Sequence, residues 1–229
     1  MKTVARISHY IILAAMITLS SATLSMAQDF EGIIQYKFPG MTGNGTGSMK
    51  YMIQDDKLRI QMGGNGLSAA MLYLPKESSM VMLMDRMQSY MKMELNQKTL
   101  PDDYNKEWKG STMEKTGQTK TVAGHECEVW VVTAGDGDTL NMCMAQGLGT
   151  FMAPGNPMAK KHAPAWAHQI IADGYMPLEV IKTTGGEQQY VMQATKIEQK
   201  ALDTDLFKIP EGYRDMSAMM EQMRNIKNR

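Results

Sequence analysis

Apolar and polar residues alternate with a period of two through most of this chain. The run Phe30-Glu-Gly-Ile-Ile-Gln-Tyr-Lys-Phe38 opens the pattern, and residues 48–54 and 57–62 continue it around an Asp55-Asp56 turn. Further runs cover 69–74, 80–84 and 90–95, divided by Pro75-Lys-Glu-Ser and Asp85-Arg-Met-Gln. Successive side chains on a strand point to opposite faces. Short alternating runs split by turn residues therefore predict an antiparallel meander. A polar stretch, 96–110, interrupts the pattern. Strands resume at Met113, continue over 125–133 and 139–144, and end with 176–182 and 189–198. The glycine clusters at 43–47 and 63–66 fall where hairpin loops are needed.

Two segments leave this period. Asn156-Pro157 and Ala163-Pro164 place proline where the first turn of a helix tolerates it, and Asp173-Gly174 supplies a glycine stop. Two short helices are expected between Asn156 and Ala172, with Trp166, Ile170 and Ile171 facing the sheet. Near the end, Met216, Met219, Met220, Met223 and Ile226 fall on one stripe of a terminal helix.

The first residues bear on compartment. Lys2 and Arg6 head an apolar run from Tyr10 to Leu19, followed by Ser25-Met26-Ala27. That order is the signature of a signal peptide cut before Gln28. The run is half the roughly 20 residues a membrane helix needs, and Gln28 is not the Cys of a lipoprotein. The expected organisation is a cleaved segment, 1–27, and one domain, 28–229, in the periplasm or outside the cell. The chain carries 24 basic and 24 acidic residues, and losing Lys2 and Arg6 leaves a net of −2. Such a balance argues against nucleic acid and against attraction to anionic lipid, so membrane association is peripheral at most.

The two cysteines flank a hairpin pattern, with a turn cluster at Ala134-Gly-Asp-Gly-Asp138. Folding about Gly135 sets Cys127 opposite Cys143, within disulfide reach. Buried thiols or a metal site are the alternatives, and an oxidising compartment favours the disulfide.

Phe30-Glu-Gly-Ile, Asp56-Lys-Leu-Arg-Ile60, Ala123-Gly-His-Glu-Cys-Glu-Val-Trp130, Gly174-Tyr-Met-Pro-Leu178 and Leu206-Phe-Lys-Ile-Pro-Glu-Gly-Tyr213 resemble a family of exported bacterial proteins known as a domain of unknown function. That family is regarded as similar in fold to the lipoprotein carriers LolA and LolB. The resemblance implies a mainly β, α+β architecture: a curved antiparallel half-barrel with short helices on its concave face and a C-terminal helix. It transfers no ligand-contacting residue, because fold alone does not carry function.

Catalytic patterns are weak. His125, His162 and His168 are the histidines beyond the leader, and no His-Glu-x-x-His or Gly-x-Ser-x-Gly occurs. Asp136-Gly-Asp138 lacks the later ligands of a calcium loop. A non-enzymatic protein without a cofactor is expected.

Composition adds one anomaly: 25 methionines. Met80, Met82 and Met84 share one strand face, and folding the next hairpin about 86–87 brings Met91 and Met93 opposite. Val81, Leu83, Tyr90 and Lys92 then lie on the other face. Three readings compete: gap-filling core, an adaptable apolar seat for a lipid or hydrophobic peptide, and a copper(I) site on Met80, Met82, Met91 and Met93. The expectation carried forward is a monomeric binding protein using Met80, Met82, Met84, Met91, Met93 and Trp166. Copper(I) binding and docking of a partner without any small ligand are the alternatives.

Overall fold

The computed structural model describes residues 30–39, 46–64, 67–77, 79–94, 110–149, 151, 166, 167, 170 and 173–219. The expected leader, the cut before Gln28, His162, His168 and the 96–109 stretch lie outside them. So do Ile171, Met220, Met223 and Ile226.

Twelve strands form one sheet: β1 (Gly32–Pro39), β2 (Thr46–Gln54), β3 (Lys57–Gly64), β4 (Leu67–Leu74), β5 (Ser79–Met84), β6 (Ser89–Glu94), β7 (Thr112–Val122), β8 (His125–Thr133), β9 (Thr139–Ala145), β10 (Met176–Thr184), β11 (Glu187–Gln199) and β12 (Arg214–Asp215). Their spatial order is β12-β6-β5-β4-β3-β2-β1-β11-β10-β9-β8-β7, with β12 and β7 at the edges. Every pair is antiparallel except the short β12–β6 contact. The period-two runs of the sequence become these strands almost in place. Only β12 had no counterpart in the pattern, being two residues long.

Tight hairpins hold the order together. Asp55-Asp56 joins β2 to β3 with Asp55 at a positive φ of 54°. Gly185-Gly186 joins β10 to β11 with both residues at positive φ, a conformation that favours glycine and suits the twist of a hairpin.

Register shifts interrupt β1, β7, β10 and β11, whereas the β2–β6 ladders run in even register. Bulges bend a strand and increase local twist, so curvature concentrates in the bulged half. There, one cluster gathers Ile34, Tyr51, Trp130, Met142, Leu178 and Val180 from strands far apart in the sheet order. Those residues can meet only if the sheet curls about the face that carries them, here called the inner face.

Helix is scarce among the described residues: Trp166, Ala167 and Ile170 are α-helical, as are Ser217–Met219, and short 3-10 turns cover Pro75–Glu77, Asp85–Met87 and Thr204–Phe207. The two short helices expected between Asn156 and Ala172 fall almost wholly outside the described residues. Of the expected terminal helix, Ser217–Met219 are described and are helical, and the rest lies outside the described residues.

Candidate functional site

Cross-strand pairing extends the inner face as continuous rows. In one, Ile34 faces Tyr51, Tyr51 faces Ile60, Ile60 faces Met71, Met71 faces Met82 and Met82 faces Met91. Beside it, Ile53 faces Leu58, then Tyr73, Met80 and Met93 follow in turn. Exposure rises along both rows. Ile34 is fully buried and Tyr51 nearly so, Met82 and Met91 are half-buried, and Met93 is 41% exposed.

What closes the first part of these rows is the connection from β9 to β10. Phe151 stacks on the Tyr51 ring at 5.2 Å between centroids, and Leu148 and Ile170 are buried in the same cluster. Tyr36 meets Tyr51 edge-on, and its hydroxyl donates to the Pro177 carbonyl at 3.0 Å. Burial pushes the phenols of Tyr36 and Tyr51 well above the usual tyrosine range. No residue of β5 or β6 belongs to this closed core.

The opposite, outer face of the same strands is covered instead. Ala70, Leu72, Val81 and Leu83 have no exposed surface and pack against Ile209 and Tyr213. Nearer β1, Leu202 and Phe207 bury Met52. The chain after β11 therefore crosses the outer face as a strap. Hydrogen bonds pin it. Gln54 Nε2 donates to the Leu202 carbonyl at 2.9 Å and to Glu31 Oε1 at 2.8 Å, and the Leu202 amide donates to the same carboxylate at 2.7 Å. Arg59 Nη1 donates to the Leu206 carbonyl at 2.9 Å, and Tyr213 Oη to Asp85 Oδ1 at 2.9 Å. The Leu202 amide, then Gln54, hold the Glu31 carboxyl below its usual range. Past the strap, the Met216 amide donates to the Tyr90 carbonyl at 2.9 Å, so β12 borders β6.

The five methionines singled out from sequence thus share one face, with Met82 opposite Met91 and Met80 opposite Met93. Val81, Leu83, Tyr90 and Lys92 take the other. Met71 and Tyr73 belong to the same face but were missed, although the alternation of β4 carries them. Trp166 does not join the methionines. Its Nε1 donates to Ser111 Oγ at 2.7 Å beside β7, at the far end of the sheet order, and its ring packs on the closed core.

Cys127 and Cys143 form a disulfide with Cα atoms 5.3 Å apart. The register differs from the one expected: Val129, not Cys127, lies opposite Cys143, and Thr133 pairs Thr139. The turn centres on Asp136 instead of Gly135: the Ala134 amide bonds to the Asp138 carbonyl at 2.8 Å, and two more residues enter the loop. The bridge is therefore diagonal across β8 and β9. Next to Cys143, the nearly buried carboxylate of Glu179 pairs with Lys120 Nζ and accepts from Gln193 Nε2 at 2.9 Å. At the start of the β7 bulge, Lys115 Nζ sits 4.3 Å from the Trp130 ring centroid and 5.1 Å from that of Tyr175, a cation–π contact over a buried indole.

Among the described residues, no group of three His, Cys, Asp or Glu side chains could hold a metal ion. Nor, among them, is any helix long and apolar enough to cross a membrane.

Solved structures resemble the chain at low identity. An uncharacterized conserved protein from Thermus thermophilus superposes with a TM-score of 0.50 at 7% identity, over 82% of this chain and 91% of that one. PNGF-II gives 0.43 at 15% identity, over 86% of this chain and 33% of that one. MucB, solved in complex with MucA(peri), gives 0.39 at 13%, over 80% and 53%. No curated protein matches the chain. Residues 30–213, from the residue ahead of β1 to the Tyr213 that closes the outer strap, match one family throughout, and the chain belongs to it: DUF4412, a domain of unknown function.

Proposed function

We propose that this is an exported, non-enzymatic binding protein, monomeric and periplasmic or extracellular. Its inner face at β4–β6 holds an apolar ligand of the acyl-chain type. One observation carries the reading: the core face runs without a break from buried Ile34 and Tyr51 to partly exposed Met82 and Met91. A continuous apolar surface of this kind marks a place where something else packs. Methionine suits a seat for chains of varied shape, because its flexible thioether refits to its contacts. The partly exposed side chains there include Met71, Met80, Met82, Met84 and Met91, whose thioethers move no proton, and this supports a role in holding over a role in chemistry. The carrier-like architecture implied by the sequence fits the same use.

The test is native mass spectrometry of the protein purified gently from its own compartment, followed by titration with a fluorescent fatty acid. An acyl-lipid mass, and uptake of the probe that Met82→Asp abolishes, are the expected results. A co-purified peptide would replace the acyl chain with a hydrophobic partner segment. A bare protein that takes up no probe overturns the reading.

A further inference from the structure

The open face concentrates a single donor atom. On β4 and β5 the closed outer side is built from Ala70, Leu72, Val81 and Leu83, all without exposed surface. The inner side of the same two strands carries Met71, Met80, Met82 and Met84, all half-buried. Leucine or valine would serve as well for apolar contact alone, and these strands use both on their other side. What methionine adds is a soft sulfur lone pair, the donor type that selects copper(I) over harder cations.

The register sets those donors side by side. Met82 lies directly between Met71 on β4 and Met91 on β6. Neighbouring strands are about 4.8 Å apart, and directly opposed Cα atoms about 4.5–5.5 Å. Three flexible side chains rising from one face at that spacing can close on a common ion. A metal–sulfur bond of about 2.3 Å, the length found in zinc–thiolate sites, is within their reach. Tyr73, Met80 and Met93 form the adjacent row and wall the position on one side. The cysteines cannot compete, since Cys127 and Cys143 are bonded to each other on β8 and β9, far from β4–β6 in the sheet order.

We propose that the Met71–Met82–Met91 row is a thioether site for a soft monovalent cation of the copper(I) class. Its signature is independence from pH. Cysteine, histidine and carboxylate ligands must lose a proton to bind metal, so their affinity falls in acid. A thioether has no proton to lose. The site does not require the acyl-chain reading, and the two separate experimentally. Replacing the row by leucine conserves volume and keeps the face apolar while removing every sulfur.

The experiment is an anaerobic titration of the mature protein with copper(I) kept reduced by ascorbate, read by mass spectrometry and by competition with a chromogenic chelator at pH 7 and pH 5. Wild type is expected to bind one ion with the same affinity at both pH values. The triple variant Met71→Leu, Met82→Leu, Met91→Leu is expected to lose at least tenfold in copper(I) affinity. Met87→Leu, at the exposed tip of the β5–β6 hairpin, is expected to bind like wild type. If the triple variant does not fold, Met82→Leu alone must lower affinity. Three results would each overturn the site: no copper(I) on wild type, equal binding by the leucine variant, or a tenfold loss between pH 7 and pH 5. Loss of probe uptake with copper binding intact would sink only the acyl-chain reading.

Discussion

Adjacent residues on β5 offer a direct measure of which face of the sheet is open. Leu83 has no exposed surface and lies beneath the Ile209–Tyr213 strap, whereas Met82 is half-buried on the inner face. Truncating a buried leucine costs about 2–5 kcal/mol, depending on how far the surroundings collapse. The neighbours Ala70, Leu72 and Val81 are equally buried and held in the ladder, so little collapse is available. Leu83→Ala should therefore cost about 3–4 kcal/mol. A fully buried methionine is worth roughly 1.5–3 kcal/mol of transfer free energy, and Met82, which keeps part of its surface in solvent, falls below that, at about 1–2 kcal/mol. The strand, its pairing partners and the intrinsic cost of alanine are common to both substitutions. Their difference, about 2 kcal/mol, therefore reports how much more tightly the outer face is closed than the inner one. It should appear in guanidinium unfolding as separate midpoints at a common slope. In thermal melts it should appear as a gap of about 4–8 °C for a domain of this size. If Met82→Ala costs as much as Leu83→Ala, the inner face at β5 is as closed as the outer one, and both binding proposals lose their site.

Three further outcomes follow from the same structure. Reducing the Cys127–Cys143 bridge, which spans 16 residues, should lower stability by about 3 kcal/mol in the chain-entropy model. Guanidinium midpoints with and without reductant measure it, and coincident curves would exclude a stabilising bridge. The lowered Glu31 pKa means the strap's hold is complete above the carboxyl's unfolded value and is lost as pH falls through the folded one. Glu31→Gln should then lose less stability than wild type between pH 5 and pH 3, and parallel losses would show that Glu31 is not involved. Gly32→Ala should be severely destabilising, since an added Cβ collides with the Glu198 carbonyl and the Phe30 ring. Overpacking of this kind costs about 1–3 kcal/mol or more, and near wild-type stability would refute the close approach of β1 to β11.

Strand positions and side-chain parity were legible in the sequence because a period of two is a local property. Each residue's face follows from its neighbours' alternation, with no knowledge of what packs on it. The β5–β6 hairpin was legible to the residue, since its short turn leaves little freedom in register: Met82 meets Met91 as the alternation requires. At β8–β9 the turn cluster is longer and glycine-rich. There the Ala134–Asp138 hydrogen bond, which composition does not reveal, moved the register by one step about its centre. Parity also cannot say which of two apolar faces is closed. Val81 with Leu83 and Met80 with Met82 look alike as alternating apolar pairs. Only the path of residues 202–213, distant in sequence and without alternation of their own, buries the first pair fully and leaves the second partly exposed. The same holds for Trp166, whose place beside Ser111 depends on how the β9–β10 connection crosses the inner face. The sequence by itself determined the strands, the grouping of the methionines and the pairing of the cysteines. The open face at β4–β6 was a tertiary decision, because burial belongs to contacts between segments that no local pattern encodes.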